Sequence, residues 1–379
     1  MPISAARAEG IRQRLLAWYA TEARDLPWRQ TDDPYAIWVS EVMLQQTRVE
    51  TVLRYYRPFL SQFPTVHALA AAERGDVLKA WEGLGYYARA RNLHNAAAIV
   101  VREWGGHVPS SVADLLLLPG IGRYTAPAIA SIAFGVDVPV LDGNIIRVLS
   151  RLFRVSGDPS RAETRKLLLQ HATYLTNGGK AAAVNQALMD LGARVCMPRG
   201  PGCSECCLAS ECDAHHRGEE SEYPARPSRK PIPHIDVVAG VVWSTTPYAA
   251  TSRILVAQRR EDDMLGGLWE FPGGRVEQGE TREEALVREL CEELAIEVVV
   301  LQPLPTVDHA YSHFRMALHP FHCRHTGGLP RPIECAAWQW ATIEEIDALS
   351  LSVADRRILE AVSVDRLSWT VRGGRPATA

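Results

Sequence analysis

Cys196, Cys203, Cys206 and Cys212 lie within 17 residues, separated by six, two and five intervening positions. So short a segment cannot bury an apolar core of its own, whereas four thiolates gathered in it can enclose one metal centre. An all-cysteine donor set suits either zinc or iron–sulfur, and the gaps are not the paired C-x2-C…C-x2-C of common zinc folds. Cys207 breaks none of the spacing, while Cys291, Cys323 and Cys335 are scattered. The chain opens Met1-Pro2-Ile3-Ser4 and runs into Arg12 and Arg14 without an apolar leader. Metal ligation is therefore expected rather than a disulfide framework, and the cytoplasm is the expected compartment.

A chain of 379 residues is too long for one ordinary core, so two domains are expected. With 47% hydrophobic and 22% charged residues it belongs among soluble globular proteins. No apolar run approaches the ~20 residues of a membrane span. The net charge of −3 hides an asymmetry: residues 1–230 carry 27 Lys/Arg against 23 Asp/Glu, the remainder 14 against 21. A mildly basic first part admits a polyanion without requiring one.

From Leu15 to about residue 195 apolar residues recur at helical spacing, as Val42, Val49, Leu53 and Tyr56 do within Ala36–Tyr56. Arg161–Leu175 and Ala181–Met189 read likewise. Pro224, Pro227, Pro231 and Pro233 among charged residues mark an extended linker. Beyond it Ile235–Trp243 and Ile254–Ala257 are β-branched runs, and Thr281–Leu294 reads as a helix. Further strands are expected near Val298–Leu301, Phe314–Cys323 and Trp338–Trp340. The expected architecture is a multidomain α and α+β chain: a helical domain over 1–217, a linker over 218–234, an α+β domain over 235–365 and a disordered tail over 366–379.

Two motifs in the helical part can carry chemistry. Leu118-Pro119-Gly120-Ile121-Gly122-Arg123-Tyr124 precedes the helical stretch Thr125–Phe134. A turn with two glycines lets backbone N–H groups approach a phosphate, although a plain helix–helix turn reads the same way. Val138-Pro139-Val140-Leu141-Asp142-Gly143-Asn144 leads into Ile145–Phe153. Taken alone, Asp142 or Asn144 reads best as a helix N-cap; the functional alternative is a carboxylate aimed at a sugar.

Together these residues resemble the iron–sulfur helix-hairpin-helix DNA glycosylases, over roughly residues 10–215. The four-cysteine spacing matches that superfamily's [4Fe–4S] signature, so the resemblance selects iron–sulfur over zinc and makes Asp142 the catalytic aspartate. Bifunctional members carry a hairpin lysine where this chain has Tyr124, and a phenol cannot form a Schiff base. Trp38-Val39-Ser40-Glu41-Val42-Met43-Leu44-Gln45-Gln46-Thr47 looks like the MutY-type adenine glycosylases, as do Leu26-Pro27-Trp28-Arg29 and Gly83-Leu84-Gly85-Tyr86-Tyr87. The resemblance implies that Glu41, on a largely apolar helix, is the acid that protonates a departing adenine. It implies that ionised Asp142 stabilises the sugar cation, with Tyr124 and Asn144 hydrogen-bonding around both. Gln46 and Tyr86 would enter the duplex with Leu44 close by, and Arg29, Gly120 and Gly122 would also contact DNA. The cluster would hold a DNA-facing loop that includes Arg194 and Arg199. The implied partner is double-stranded DNA containing adenine opposite 8-oxoguanine or guanine, acted on by a monomer associated with the nucleoid.

The second part contains Gly274-x5-Glu280-x7-Arg288-Glu289-Leu290-x-Glu292-Glu293-x-Ala295-Ile296, nearly a full Nudix box, departing from it where Ala295 replaces glycine. Glu289, Glu292 and Glu293 stand at i, i+3 and i+4, so their carboxylates can converge on one helix side and suit Mg²⁺ on a pyrophosphate. Leu265-Gly266-Gly267-Leu268-Trp269-Glu270-Phe271-Pro272 and Tyr311-Ser312-His313 resemble the MutT-like domain of MutY proteins, which reads 8-oxoguanine. That likeness places Ser312 beside the oxidised base, with His313 or His309 near phosphates. Most such domains have degraded hydrolase carboxylates, whereas this chain has them all. An alternative is therefore a bifunctional protein that also hydrolyses an oxidised nucleoside triphosphate.

Overall fold

The computed structural model describes residues 3–225, 232–311 and 314–371, with side chains described as far as residue 367. Ser312, His313 and part of the expected linker lie outside the described residues. By its internal contacts the chain divides into Met1–Ala71 with Asn92–Arg229, and Ala72–Arg91 with Lys230–Ala379. Among the described residues no helix is long and apolar enough to cross a membrane.

The first unit is helical: α1 (Ala5–Glu22), α2 (Pro34–Met43), α3 (Val49–Gln62) and α4 (Val66–Ala71) precede α5 (Arg74–Ala80), which belongs to the second unit. Then follow α6 (Ala88–Trp104), α7 (Val112–Leu115), α8 (Thr125–Phe134), α9 (Gly143–Leu152), α10 (Ala162–Thr176) and α11 (Ala181–Arg194). α2 starts where Asp33 caps the Tyr35 N–H and Pro34 occupies the first turn. It stops because Gln46 takes a left-handed backbone, φ 57°. The Ala36–Tyr56 stretch that spacing reads as continuous is thus two helices, since apolar periodicity carries on across the break. Ile11, Leu15, Ile145, Leu149, Leu168 and Leu188 bring α1, α9, α10 and α11 into one core. α9 and α11 approach so closely that a Cβ on Gly192 would lie 2.6 Å from the Asn144 Cβ and 3.1 Å from its carbonyl oxygen.

The second unit is a seven-stranded mixed sheet: β1 (His234–Trp243), β2 (Ile254–Gln258), β3 (Trp269–Glu270), β4 (Glu297–Pro303), β5 (Val307–Ala310), β6 (Arg315–Gly327) and β7 (Ala337–Ala341). Its helices are α12 (Arg282–Leu294), α13 (Ile343–Ala348) and α14 (Val353–Val371). The path is β3-β2-β1-β6-β4, with β5 on β6 and β7 on β2. β1 runs parallel to β6 from His234↔Arg315 to Trp243↔Arg324. Alternation along β1 sends Ala239, Val241 and Trp243 toward Ile358 and Val362 of α14, and Val238 and Val242 toward Leu286 and Leu290 of α12. β3 and β5 are too short to leave a period-2 pattern, which is why spacing does not mark them.

Two boundaries differ from the sequence expectation. Residues 72–91 cluster with the second unit because polar ties hold them there. Lys79 Nζ donates to the carbonyls of Asp347 (2.7 Å) and Leu349 (3.0 Å), and Arg356 pairs with Glu82 at 2.7 Å. The expected tail from 366 is helical as far as Val371, because α14 is anchored earlier by buried Ile358, Leu359 and Val362 and propagates outward.

α12 begins with a capping box between Thr281 and Glu284 and ends at Ala295, which sits left-handed at φ 55°. An alanine there costs about 1 kcal/mol relative to glycine. Ala295→Gly is therefore expected to raise the melting temperature of this unit by ~2–4 °C in calorimetry; an unchanged or lower value would contradict the strain assigned to this cap.

Candidate active site

Glu41, Tyr124, Asp142 and Asn144 come from three separate helix ends yet line one cavity of about 140 Å³, beside Trp28, Arg29 and Leu44. The volume is well under the roughly 300 Å³ of drug-sized pockets. α2 carries Glu41 inward at 4% exposure, surrounded by a helix buried from Tyr35 to Met43.

The two carboxylates are held differently. Burial, and then the nearby charge of Asp142, push Glu41 up to about 7, while Tyr124 and Arg29 pull back. The Tyr124 hydroxyl reaches Glu41 Oε2 only at a long 3.5 Å. Burial also raises Asp142, but it accepts the Ile145 N–H at 2.6 Å and the Asn144 amide at 2.9 Å, with Arg147 adding positive charge. Asp142 is thus the better hydrogen-bonded of the two carboxylates. Burial and both carboxylates push the Tyr124 phenol well above its ordinary range, so it remains a donor. One Asp142 oxygen caps α9, as its place before an apolar run implies, and the residue also lines the cavity.

Sequence reasoning misses Asp190. Its side chain is fully buried on α11 and binds two arginines: Arg29 at 2.7 and 2.8 Å, and Arg24 at 2.7 Å. Arg29 therefore stands in the cavity wall, locked by Asp190, rather than extended outward. A lone acid in the apolar run Ala187-Leu188-Met189-Asp190-Leu191 is the available signal, because such a residue must find a cation. Gln186 and Met189, on the same helix, line the cavity as well.

The glycine turn follows α7. Gly120 is left-handed at φ 78°, and a Cβ there would lie 2.7 Å from Asn92 Cβ, so glycine is required. At Gly122 a Cβ would meet only open space, which leaves the backbone approachable. Gln45 anchors this turn to the end of α2, donating to the Thr125 hydroxyl at 2.9 Å and to the Gly120 carbonyl at 3.3 Å. Leu44 lines the cavity and Gln46 is exposed. In the second unit Tyr86 is 43% exposed and also left-handed, φ 48°, between Gly83 and Gly85 of positive φ on one side and α6 on the other.

Cys196, Cys203, Cys206 and Cys212 line one small cavity with Arg151, His215 and Glu220. The Arg151 guanidinium donates to Cys196 Sγ at 3.2 Å. Four cysteines lining one cavity, with a guanidinium donor on one sulfur, fit an iron–sulfur cluster. Arg194, by contrast, pairs with Glu22 at 3.1 Å.

In the second unit Arg288 ties Glu280 (2.7 Å), Glu289 (3.1 Å) and Glu292 (3.0 Å). Glu293 turns away to accept the Gly273 N–H at 3.2 Å, and burial lifts its carboxyl to about 7. Among the described residues Glu289, Glu292 and Glu293 do not, as a set, bring their oxygens within 4.8 Å of one another. A separate cavity of about 410 Å³ is walled by Leu265, Glu270, Tyr311, Phe314 and Asp355. Glu270 pairs there with Arg259 at 2.5 Å, and burial lifts it to about 8. Tyr311 and Phe314 bracket the undescribed Ser312 and His313.

Comparison with known proteins matches residues 39–172 to the HhH-GPD superfamily of base excision DNA repair proteins and residues 248–361 to the NUDIX domain. The adenine DNA glycosylase of Rattus norvegicus is 36% identical, over 97% of this chain and 80% of its own length. That of Homo sapiens is 36% identical, over 93% and 74%. A solved thermostable thymine-DNA glycosylase is 31% identical with TM-score 0.52, covering 56% of this chain and 98% of its own.

Three substitutions at two positions separate scaffold from charge. Asn caps a helix as well as Asp, so Asp142→Asn is expected to cost under about 0.5 kcal/mol of stability and Asp142→Ala ~1 kcal/mol. Asp190→Asn strands two arginines and should cost about 3 kcal/mol. Urea denaturation checks both; equal losses for the three variants would contradict the pairing described.

Proposed function

We propose that this chain, which belongs to the adenine DNA glycosylase family, cuts the bond between adenine and its deoxyribose in double-stranded DNA, the opening step of base excision repair. The observation that carries the chemistry is one cavity holding a buried, proton-retaining Glu41 beside a donor-bound Asp142. Adenine departs badly as an anion. Glu41 donates its proton to the ring nitrogen N7, so the base leaves neutral. Ionised Asp142 faces the cation that develops on the sugar and stabilises it, held by the Asn144 amide, while Tyr124 donates to Glu41. Water then takes the base's place and an abasic site remains. With tyrosine at position 124 there is no amine to attack the sugar, so the strand is not cut by that route.

The base must leave the stack to enter so small a cavity, and the duplex needs something in its place. Gln46 and Tyr86 suit that role, because each is exposed and already fixed in a costly backbone conformation, so little ordering is left for binding. Leu44 and Arg29 wall the base pocket, and the backbone of Gly120 and Gly122 receives phosphate. Cys196, Cys203, Cys206 and Cys212 would hold a [4Fe–4S] cluster, whose contribution when bound is to pin this segment of the DNA-facing side. The helical glycosylase domain of this reading spans the residues up to 217, less the segment 72–91 that clusters with the second unit. The domain of 235–365 reads the opposite base, 8-oxoguanine or guanine, through Ser312 and His313. The engagement of Glu289 and Glu292 by Arg288, and of Glu293 by a backbone N–H, supports reading over Mg²⁺-dependent hydrolysis there.

Three measurements test this reading. Glu41→Gln is expected to lower single-turnover excision at least ~10³-fold with DNA affinity within a few-fold of wild type; near-normal cutting would remove Glu41 from its role. With a folded-state value of about 7, Glu41 is protonated below neutrality, so the rate should fall about tenfold per pH unit above it. At the acid end it should fall again as Asp142 takes up a proton. Finally, adenine opposite 8-oxoguanine should be cut faster than adenine opposite guanine, and truncation at residue 234 should erase that preference. Release of pyrophosphate from 8-oxo-dGTP with Mg²⁺ would favour the hydrolase alternative for the second domain.

A further inference from the structure

Tyr86 stands at the tip of a turn whose backbone has little shape of its own. Gly83 and Gly85 take positive φ, 90° and 76°, and Tyr86 follows at 48°, a conformation that a side chain makes costly. Such a turn keeps one form only where its surroundings impose it. Side chains of the same segment do so: the Trp81 indole N–H donates to the Gly85 carbonyl at 3.1 Å, and Arg89 donates to the carbonyls of Leu84 at 3.2 Å and Gly85 at 3.0 Å. The Arg89 guanidinium lies 5.5 Å from the centre of the Tyr86 ring and 5.3 Å from that of Trp81. Tyr87 carries the fixation far along the chain. Its hydroxyl accepts the Gly83 N–H at 3.1 Å and donates to the Leu351 carbonyl at 3.3 Å, 264 positions away.

Leu351 belongs to a buried stretch of the second unit. It is fully buried and bridges to Trp269, whose N–H donates to the Ser350 carbonyl at 2.9 Å. Just beyond it, Ser352 donates to Asp355 at 2.6 Å, and Asp355 accepts the Phe271 N–H at 3.1 Å. Ser352 and Asp355 line the cavity of about 410 Å³ whose wall includes Tyr311 and Phe314. The Tyr87 hydroxyl is thus one hydrogen bond from a stretch packed into that wall. Close-packed interiors compress little and so transmit displacement.

We propose that Tyr87 is the positioning residue through which the reading of the opposite base reaches Tyr86: its hydroxyl pins the Gly83–Tyr86 turn to Leu351, so the cavity wall sets the entry of Tyr86 into the duplex. The inference rests on the assignment of Tyr86 to the duplex and of residues 235–365 to the opposite base. It makes the Tyr86 turn a working part of the reader. The rate that adenine gains from 8-oxoguanine opposite it then passes through one hydroxyl.

The test compares single-turnover excision of adenine opposite 8-oxoguanine and opposite guanine by the full-length holoprotein. Rates are normalised to the active fraction, so misfolded protein does not enter their ratio. Tyr87→Phe keeps the ring and removes only the hydroxyl. It is expected to lower the ratio several-fold, chiefly by slowing the 8-oxoguanine substrate. Tyr86→Ala should lower the ratio too, and Tyr86→Ala/Tyr87→Phe should lower it no further, because residues acting through one step are not additive. 2-Aminopurine placed beside 8-oxoguanine should unstack several-fold more slowly with Tyr87→Phe than with wild type. An unchanged ratio in Tyr87→Phe, an equal slowing of both substrates, or independent multiplication of the two substitutions' effects would each overturn the inference. Equal cutting of both substrates by wild type would overturn the opposite-base reading on which it rests.

Discussion

The hydrogen bonds accepted by Asp142 are what the rest of the catalytic unit depends on. One oxygen caps α9, the other takes the Asn144 amide, and the negative charge so fixed is a reason Glu41 keeps its proton. α9 in turn leans on α11 at Gly192, and α11 brings Asp190 under the two arginines of the cavity wall. Arg29 closes the circuit by opposing, without cancelling, the upward push on Glu41. A single carboxylate is therefore at once a helix terminus, an electrostatic reference and a wall of the cavity. Its capping geometry is satisfied before any ligand arrives, so the anion needs no rearrangement to act.

Much of this is legible in the chain. The helices after Pro34 and Thr125, the α+β half and the central strands follow from capping residues, apolar spacing and β-branched runs. Motifs single out Glu41, Tyr124, Asp142 and Asn144, and their meeting in one cavity agrees with that reading. What stays hidden has physical causes. Periodicity cannot register one left-handed residue, so it runs straight through the break at Gln46. Asp190 belongs to no local motif; its partners stand more than 160 positions earlier in the chain. The attachment of residues 72–91 to the second unit depends on lysine and arginine contacts with distant carbonyls and carboxylates, which leave no periodic trace. Sequence can say that four cysteines share a metal, but not that His215 and Glu220 are folded beside them.

The second unit shows how a motif can persist while its electrostatics are settled internally. The acidic face of α12 is partly neutralised by Arg288, and Glu293 is drawn to a backbone donor. Deeper in the same unit, burial raises Asp355 and lifts Glu270, paired with Arg259, to about 8. The cavity of this unit has Tyr311 and Phe314 on its wall.

Gly192 contributes no functional group, touches no ligand and lies outside every motif, yet any side chain there would collide with Asn144. Asn144 would have to move, and the charge of Asp142 would lose its amide donor. Heritable damage to this chemistry therefore has a wider target than the residues that meet the base. A change at a position bearing only hydrogen reaches the cavity through the contact of α9 with α11.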